Sequence, residues 1–173
     1  MAHTTFSVTS FSTRRLRGFS YVELMVAVTI LALLATAATP YLQKVIQRKK
    51  ETELRENLRE IRHAIDAYKL ASDQGKIAKN LGDSGYPKRL EDLELGVPDI
   101  SDPQKKMLKF IRRIPIDPLA TIIDISKPLS PAETWGKRSY VSSADDPREG
   151  EDVFDVYSLN PQKGLNGIVY AQW

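Results

Sequence analysis

The chain has 173 residues, enough for one domain with a long segment outside it, and no cysteine, which removes disulfides, zinc fingers and thiol catalysis together. Its net charge of +3 resides in residues 1–18, where Arg14, Arg15 and Arg17 stand without an acid. The remainder is therefore neutral overall, and nothing argues for a nucleic-acid surface.

From Phe19 to Thr39 the chain is apolar, with Glu23 as the one charge. Those 21 residues make a helix of about 31 Å, enough to cross a hydrocarbon core. A carboxylate inside such a span costs roughly 2.5–3.5 kcal/mol on insertion scales, so Glu23 needs a reason to be there. A plain membrane anchor is one reading. A cleaved export signal is a second, with basic Arg14–Arg17, an apolar core, an A-x-A site at Ala35-Thr36-Ala37, and a hint of a twin-arginine signal in Thr13-Arg14-Arg15. Against the second, Glu23 interrupts the apolar core and the helical pattern runs past the cut.

A third reading explains more residues. The stretch GFSYVELMVAVTILALLATAATP, Gly18 to Pro40, closely resembles the amino-terminal signature of type IV prepilins and type II secretion pseudopilins. The resemblance implies that residues 1–18 are a leader removed by a prepilin peptidase, which cuts after Gly18. It implies N-methylation of the new terminus, Phe19. It makes Glu23 an assembly residue, pairing with the amine of Phe19 on a neighbouring subunit when the helices pack side by side. Pro40 falls at a helix-loosening proline of that family. Arg14, Arg15 and Arg17 on one side of the span are balanced by Lys44, Arg48, Lys49 and Lys50 on the other, so charge does not orient it. The resemblance does: leader in the cytoplasm, one pass through the inner membrane with lipid around the span before assembly, and the carboxy-terminal head in the periplasm.

Pro40 lacks an N–H and clashes with the preceding turn, which predicts a kink or local melting near Thr36–Thr39. The helix then resumes as an amphipathic extension over residues 40–74. Leu54, Leu58, Ile61, Ile65 and Tyr68 draw one apolar stripe. Glu51 and Arg55 are expected to pair at i,i+4 on the wet side. The stretch QRKKETELRENLREIR reads as a solvated face whose charges are available to neighbouring subunits. His63, without a second histidine, cysteine or carboxylate at ligand spacing on a clear common face, reads as a surface or packed residue. The helix should fade between Asp73 and Gly75.

Residues 75–173 read as a head of turns and short runs. Tyr86-Pro87 precedes a short helical pattern with Leu90 and Leu93, and IRRIPIDP is an extended loop because of Pro115 and Pro118. WGKRSYVSS and DVFDVYSLN read as strands, and GIVYAQW as a last short strand or extended tail. The expected fold class is α+β: a long amino-terminal helix, its first half (19–39) in the membrane, packed on a small antiparallel sheet as a pilin-like ladle.

These fragments resemble the major pseudopilins of type II secretion. The match rests on Tyr86-Pro87, then Pro115, Asp117 and Pro118, then Trp135, Gly136 and Tyr140, then Phe154, Asp155, Tyr157, Ser158 and Leu159. Two departures stand out. Sixteen residues, Leu119 to Thr134, separate Asp-Pro from Trp-Gly and are expected to form a surface loop. The family's calcium-binding loop corresponds to Asn160-Pro161-Gln162-Lys163-Gly164, where Gln162 replaces an aspartate and Lys163 adds a positive charge. No cofactor is therefore expected, and Asp155, Ser158 and Asn160 are what remains of a calcium set. Asp145, Asp146, Glu149, Glu151 and Asp152 read as a solvated acidic turn.

No serine stands in a nucleophile elbow, and there is no histidine–cysteine set or phosphate-cradling glycine loop, so catalysis is not expected. The resemblance implies a structural subunit of a type II secretion pseudopilus, with a type IV pilus pilin serving adhesion, twitching or DNA uptake as the alternative. Its implied partners are copies of itself, minor pseudopilins, the prepilin peptidase and an inner-membrane assembly platform.

Overall fold

The computed structural model describes residues 18–120 and 129–173. Residues 1–17, where the leader is expected, and the middle of the Leu119–Thr134 stretch lie outside the described residues. The chain divides into two compact units between Leu42 and Gln43. Helix α1, Tyr21–Asp73, supplies the end of the first and the start of the second.

In the first unit α1 carries an 18-residue window of mean hydropathy 2.1, long and apolar enough to cross a membrane, and none of that window is buried. Thr29, Thr36 and Thr39 donate their hydroxyls to the carbonyls of Met25, Ala32 and Ala35 one turn back. These three threonine hydroxyls are thus paired within the helix itself. The local melting expected before Pro40 does not occur, because the backbone stays helical without a break through Pro40. Pro40 removes only the N–H that would meet the Thr36 carbonyl, and propagation on both sides of a long helix tolerates one lost bond.

The second unit is built on residues 43–73 of α1. Leu54, Leu58, Ile61, Ile65 and Tyr68 are buried together with Ala64 and Ala71, so the apolar stripe packs where its period puts it. The helix ends where Gly75, at φ 71°, turns left-handed. There Gly75 N donates to Ser72 O and Lys76 N to Ala71 O, the paired bonds of a Schellman end.

Against the stripe pack Ile77, the one-turn helix α2 (Asp92–Leu95) with Leu90 and Leu93, and Ile111 and Ile114 from an irregular loop. Strands β1 (Val97–Pro98) and β2 (Met107–Leu108) form a minimal antiparallel ladder not foreseen in the sequence. Strands β3 (Trp135–Arg138) and β4 (Asp155–Ser158) pair antiparallel with Trp135 opposite Ser158 and Gly136 opposite Tyr157. The sheet of the α+β fold is thus two separate two-stranded ladders. Gly136 is required there, since a Cβ would collide with the Tyr157 ring lying over it.

Two expectations about local structure need correction. The tail 167–173 is neither a strand nor extended. Val169 makes a single bridge to Lys163, and Tyr170–Gln172 winds into a 3-10 turn that buries Tyr170. The end of the Leu119–Thr134 stretch is not a surface loop either. Ser130 and Glu133 cap a 3-10 turn, Pro131–Thr134, that buries Ala132 and Thr134.

Candidate functional site

Gly18, Phe19 and Ser20 precede the helix in non-helical backbone, and all three are exposed, Phe19 at 82%. The helix starts at once, with Leu24 N donating to Ser20 O at 3.0 Å. Glu23 therefore sits in the first turn. The positive end of the helix dipole favours a carboxylate there. Among the described residues no cation pairs with it, and it is exposed along with the apolar side chains around it. The junction Gly18–Phe19, the carboxylate and Pro40 thus lie on one accessible segment, as the sequence orders them.

A second carboxylate, Glu51, was expected on the wet side paired with Arg55. It is instead only 4% exposed. Its Oε1 accepts hydrogen bonds from Tyr170 OH at 2.8 Å, Leu165 N at 2.8 Å and Gln47 Nε2 at 3.1 Å. Gln47 Nε2 also donates to Tyr170 OH at 3.0 Å. Burial pushes the Tyr170 hydroxyl up in pKa; the Gln47 hydrogen bond opposes this and the Glu51 carboxylate reinforces it. The signal was in the spacing: Glu51 stands three residues before Leu54 and seven before Leu58, on the buried stripe itself. Arg55, freed from Glu51, lies 4.2 Å over the Trp173 ring.

Of the residues proposed for calcium, Ser158 and Asn160 meet, with Asn160 N donating to Ser158 Oγ at 3.2 Å, while each also has partners of its own. Asp155 is held between Arg62 Nε at 2.8 Å and Arg138 at 3.2 Å, so its charge is already met. Ser158 donates to the buried Asp117 at 2.6 Å, and Asn160 donates to Leu119 O and accepts from Gln162 N. The loop 160–164 is fastened by backbone bonds, Tyr170 N to Gln162 O and Gly164 N to Ile168 O. The acidic turn disperses too. Asp146 pairs with Arg148, and Asp152 accepts from Ser84, from Ser139 Oγ at 2.8 Å and from Tyr140 N at 2.9 Å. Burial works to raise the pKa of Asp152, but those three hydrogen bonds outweigh it and hold it below the ordinary carboxylate range. Among the described residues no three histidine, cysteine or carboxylate side chains are placed to share a metal ion. His63 is exposed on α1.

Asp117 is the other residue whose role the sequence left unstated. It is 2% exposed, accepts from Ser158 Oγ and from Leu119 N at 2.8 Å, and its own N donates to Thr134 Oγ1. Beside it Trp135 Nε1 donates to Pro115 O at 2.8 Å. Every polar group in this buried knot is matched, which makes it a structural clamp rather than a reacting centre.

An exposed junction, a first-turn carboxylate and an uncovered apolar helix define an accessible, membrane-anchorable amino terminus. Residues 13–39 match the prokaryotic N-terminal methylation motif, which is type IV prepilin-like. That motif implies handling by a prepilin peptidase and filament assembly in general, a structural rather than a catalytic role. No curated protein and no solved structure matches the chain significantly.

Proposed function

We propose that the chain is a structural subunit of a type II secretion pseudopilus. The inner-membrane precursor is cut between Gly18 and Phe19 and methylated at Phe19. It then polymerises through α1 to drive export of folded proteins across the outer membrane, with the head in the periplasm. The observation that carries this reading is Glu23: an exposed carboxylate without a partner among the described residues, on a helix whose apolar window is not buried by any of them. Lipid covers that window before assembly and the helix of a neighbour covers it afterwards, and a neighbour that does so must also answer the charge.

Cleavage supplies the answer. Before the cut Phe19 carries an amide; after it Phe19 carries a cationic amine four residues from Glu23. Copies of the processed chain then offer each other one anion and one cation in an apolar seam, which fixes register between subunits. The choice of a secretion pseudopilus over a type IV pilus rests on the head. Pro115, Asp117, Trp135 and Ser158, which carry the resemblance to major pseudopilins, converge in one buried network.

Glu23→Ala tests this. It inserts in the membrane, since removing a charge makes the span more apolar. It fails to enter filaments, because breaking a buried pair costs about 3–5 kcal/mol. Glu23→Gln is partly defective. Shear-release of filaments and secretion of a reporter exoprotein are the readouts. Normal filaments and normal secretion from Glu23→Ala overturn the mechanism; loss of filaments with secretion unchanged favours the pilus alternative.

A further inference from the structure

The exposed face of α1 beyond residue 50 is divided by charge. At 100° per residue, Arg55, Arg59 and Arg62 fall within about 60° of one another. Glu53, Glu56 and Glu60 fall within another 60°, centred about 130° away. Each ladder spans seven residues, about 10 Å along the axis, so the two have the same length. The buried stripe lies behind both, already covered by the head.

The ladders differ in relief as well as sign. The arginines line a trench of about 460 Å³ between α1 and the carboxy-terminal segment, with Ile168 and Trp173 on its far wall. Arg62 is anchored there by Asp155 and by Trp173 O at 2.8 Å, and Arg55 lies over the Trp173 ring. Arg59 has no ion-pair partner among the described residues, while His63 stands beside it and Asp66 closes the far end. The glutamates form an exposed ridge, and none of the three is paired among the described residues. Glu56 and Arg59 are close enough in sequence for an i,i+3 pair but do not make one.

We propose that the arginine trench of one subunit receives the Glu53–Glu56–Glu60 ridge of a second copy. The inference rests on the assembly reading above and adds which surfaces of the heads meet. The occupant follows from charge complementarity and equal ladder length: the chain carries both halves of the contact on different flanks of one helix. A contact between two different patches is heterologous, so it repeats from copy to copy instead of closing into a dimer. Charge pairing of this kind sets register and excludes wrong neighbours more than it adds affinity. This suits a step that follows the packing of the apolar helices.

The chain has no cysteine, so introduced thiols are unique. Two differently tagged full-length copies, one with Glu56→Cys and one with Arg59→Cys, are co-expressed and treated with a short bismaleimide. The expected product joins the two tags and requires both substitutions; either copy alone gives none. In parallel, Arg59→Glu lowers shear-released filament yield about tenfold, one decade in the assembly equilibrium. Adding Glu56→Arg to the same chain restores it, whereas adding Glu56→Ala does not. Filaments that form without the mixed product, or Glu56→Cys joining to itself, overturn this contact and leave the assembly reading standing. Absence of any filament from the unsubstituted chain overturns both.

Discussion

Replacing Glu51 by alanine removes the acceptor shared by Tyr170 OH, Leu165 N and Gln47 Nε2. The three donors do not lose equally. Leu165 is 45% exposed, so water can take over its N–H, and Gln47 still has Tyr170 OH as an acceptor. Tyr170 is 1% exposed, and its hydroxyl hydrogen is left without a partner. A stranded buried donor costs about 1–3 kcal/mol, and loss of a charge-assisted bond to a backbone N–H adds to it, for about 2–4 kcal/mol together. For a unit the size of residues 43–173 this lowers the melting temperature by about 10 °C. Glu51→Gln keeps an acceptor but loses the charge, and costs about 1 kcal/mol. The assay is thermal unfolding of a fragment beginning at Gln43, which retains Gln47, followed by circular dichroism. Hydrogen exchange at Leu165 N should rise in the alanine variant. A melting temperature for Glu51→Ala indistinguishable from the parent would refute the reasoning, because the tail would then be held by something other than this carboxylate.

Excess chelator should leave the melting temperature of the same fragment unchanged, since Asp155 is met by two arginines and the 160–164 loop by its own backbone bonds. A large calcium-dependent rise, about 2.7 kcal/mol at a hundredfold excess over Kd, would contradict this. Gly136→Ala should cost about 1–3 kcal/mol, because the new Cβ meets the Tyr157 ring; denaturant midpoints measure it, and a neutral result would mean that the ring lifts away freely. Asp152 has a pKa lowered on folding, so its contribution to stability is present above the unfolded value of about 3.9 and is lost as pH falls through the lower folded one. The melting-temperature gap between the parent and Asp152→Asn should therefore close as pH drops below about 4, and a gap independent of pH would contradict it.

What could be read in the sequence was what repeats or interrupts. The stripe from Leu54 to Tyr68 is legible because 3.6-residue periodicity leaves few alternatives, and Glu23 because it is the one charge in an apolar run. β3 and β4 were recognisable from aromatic and β-branched residues, though only the first four positions of one run and the middle four of the other pair. β1 and β2 were not, since two-residue strands have no period to detect. Glu51 was misplaced by its type: a glutamate in a charge-rich run, after Lys49 and Lys50, reads as wet, and only its spacing to Leu54 and Leu58 says otherwise. Its partners Leu165 and Tyr170 lie more than a hundred residues away, beyond any local rule. Asp117 is similar, because its burial depends on Ser158, 41 residues on. Long-range polar pairing, rather than apolar pattern, is where local reasoning ran out.

The most direct test of the account is the intact mass of the protein extracted from membranes. The account predicts a chain that has lost Met1–Gly18 and gained one methyl group, placed on Phe19 by fragmentation of the amino-terminal peptide. An unprocessed chain beginning at Met1, or one beginning at Ala38 after the A-x-A site, would contradict it.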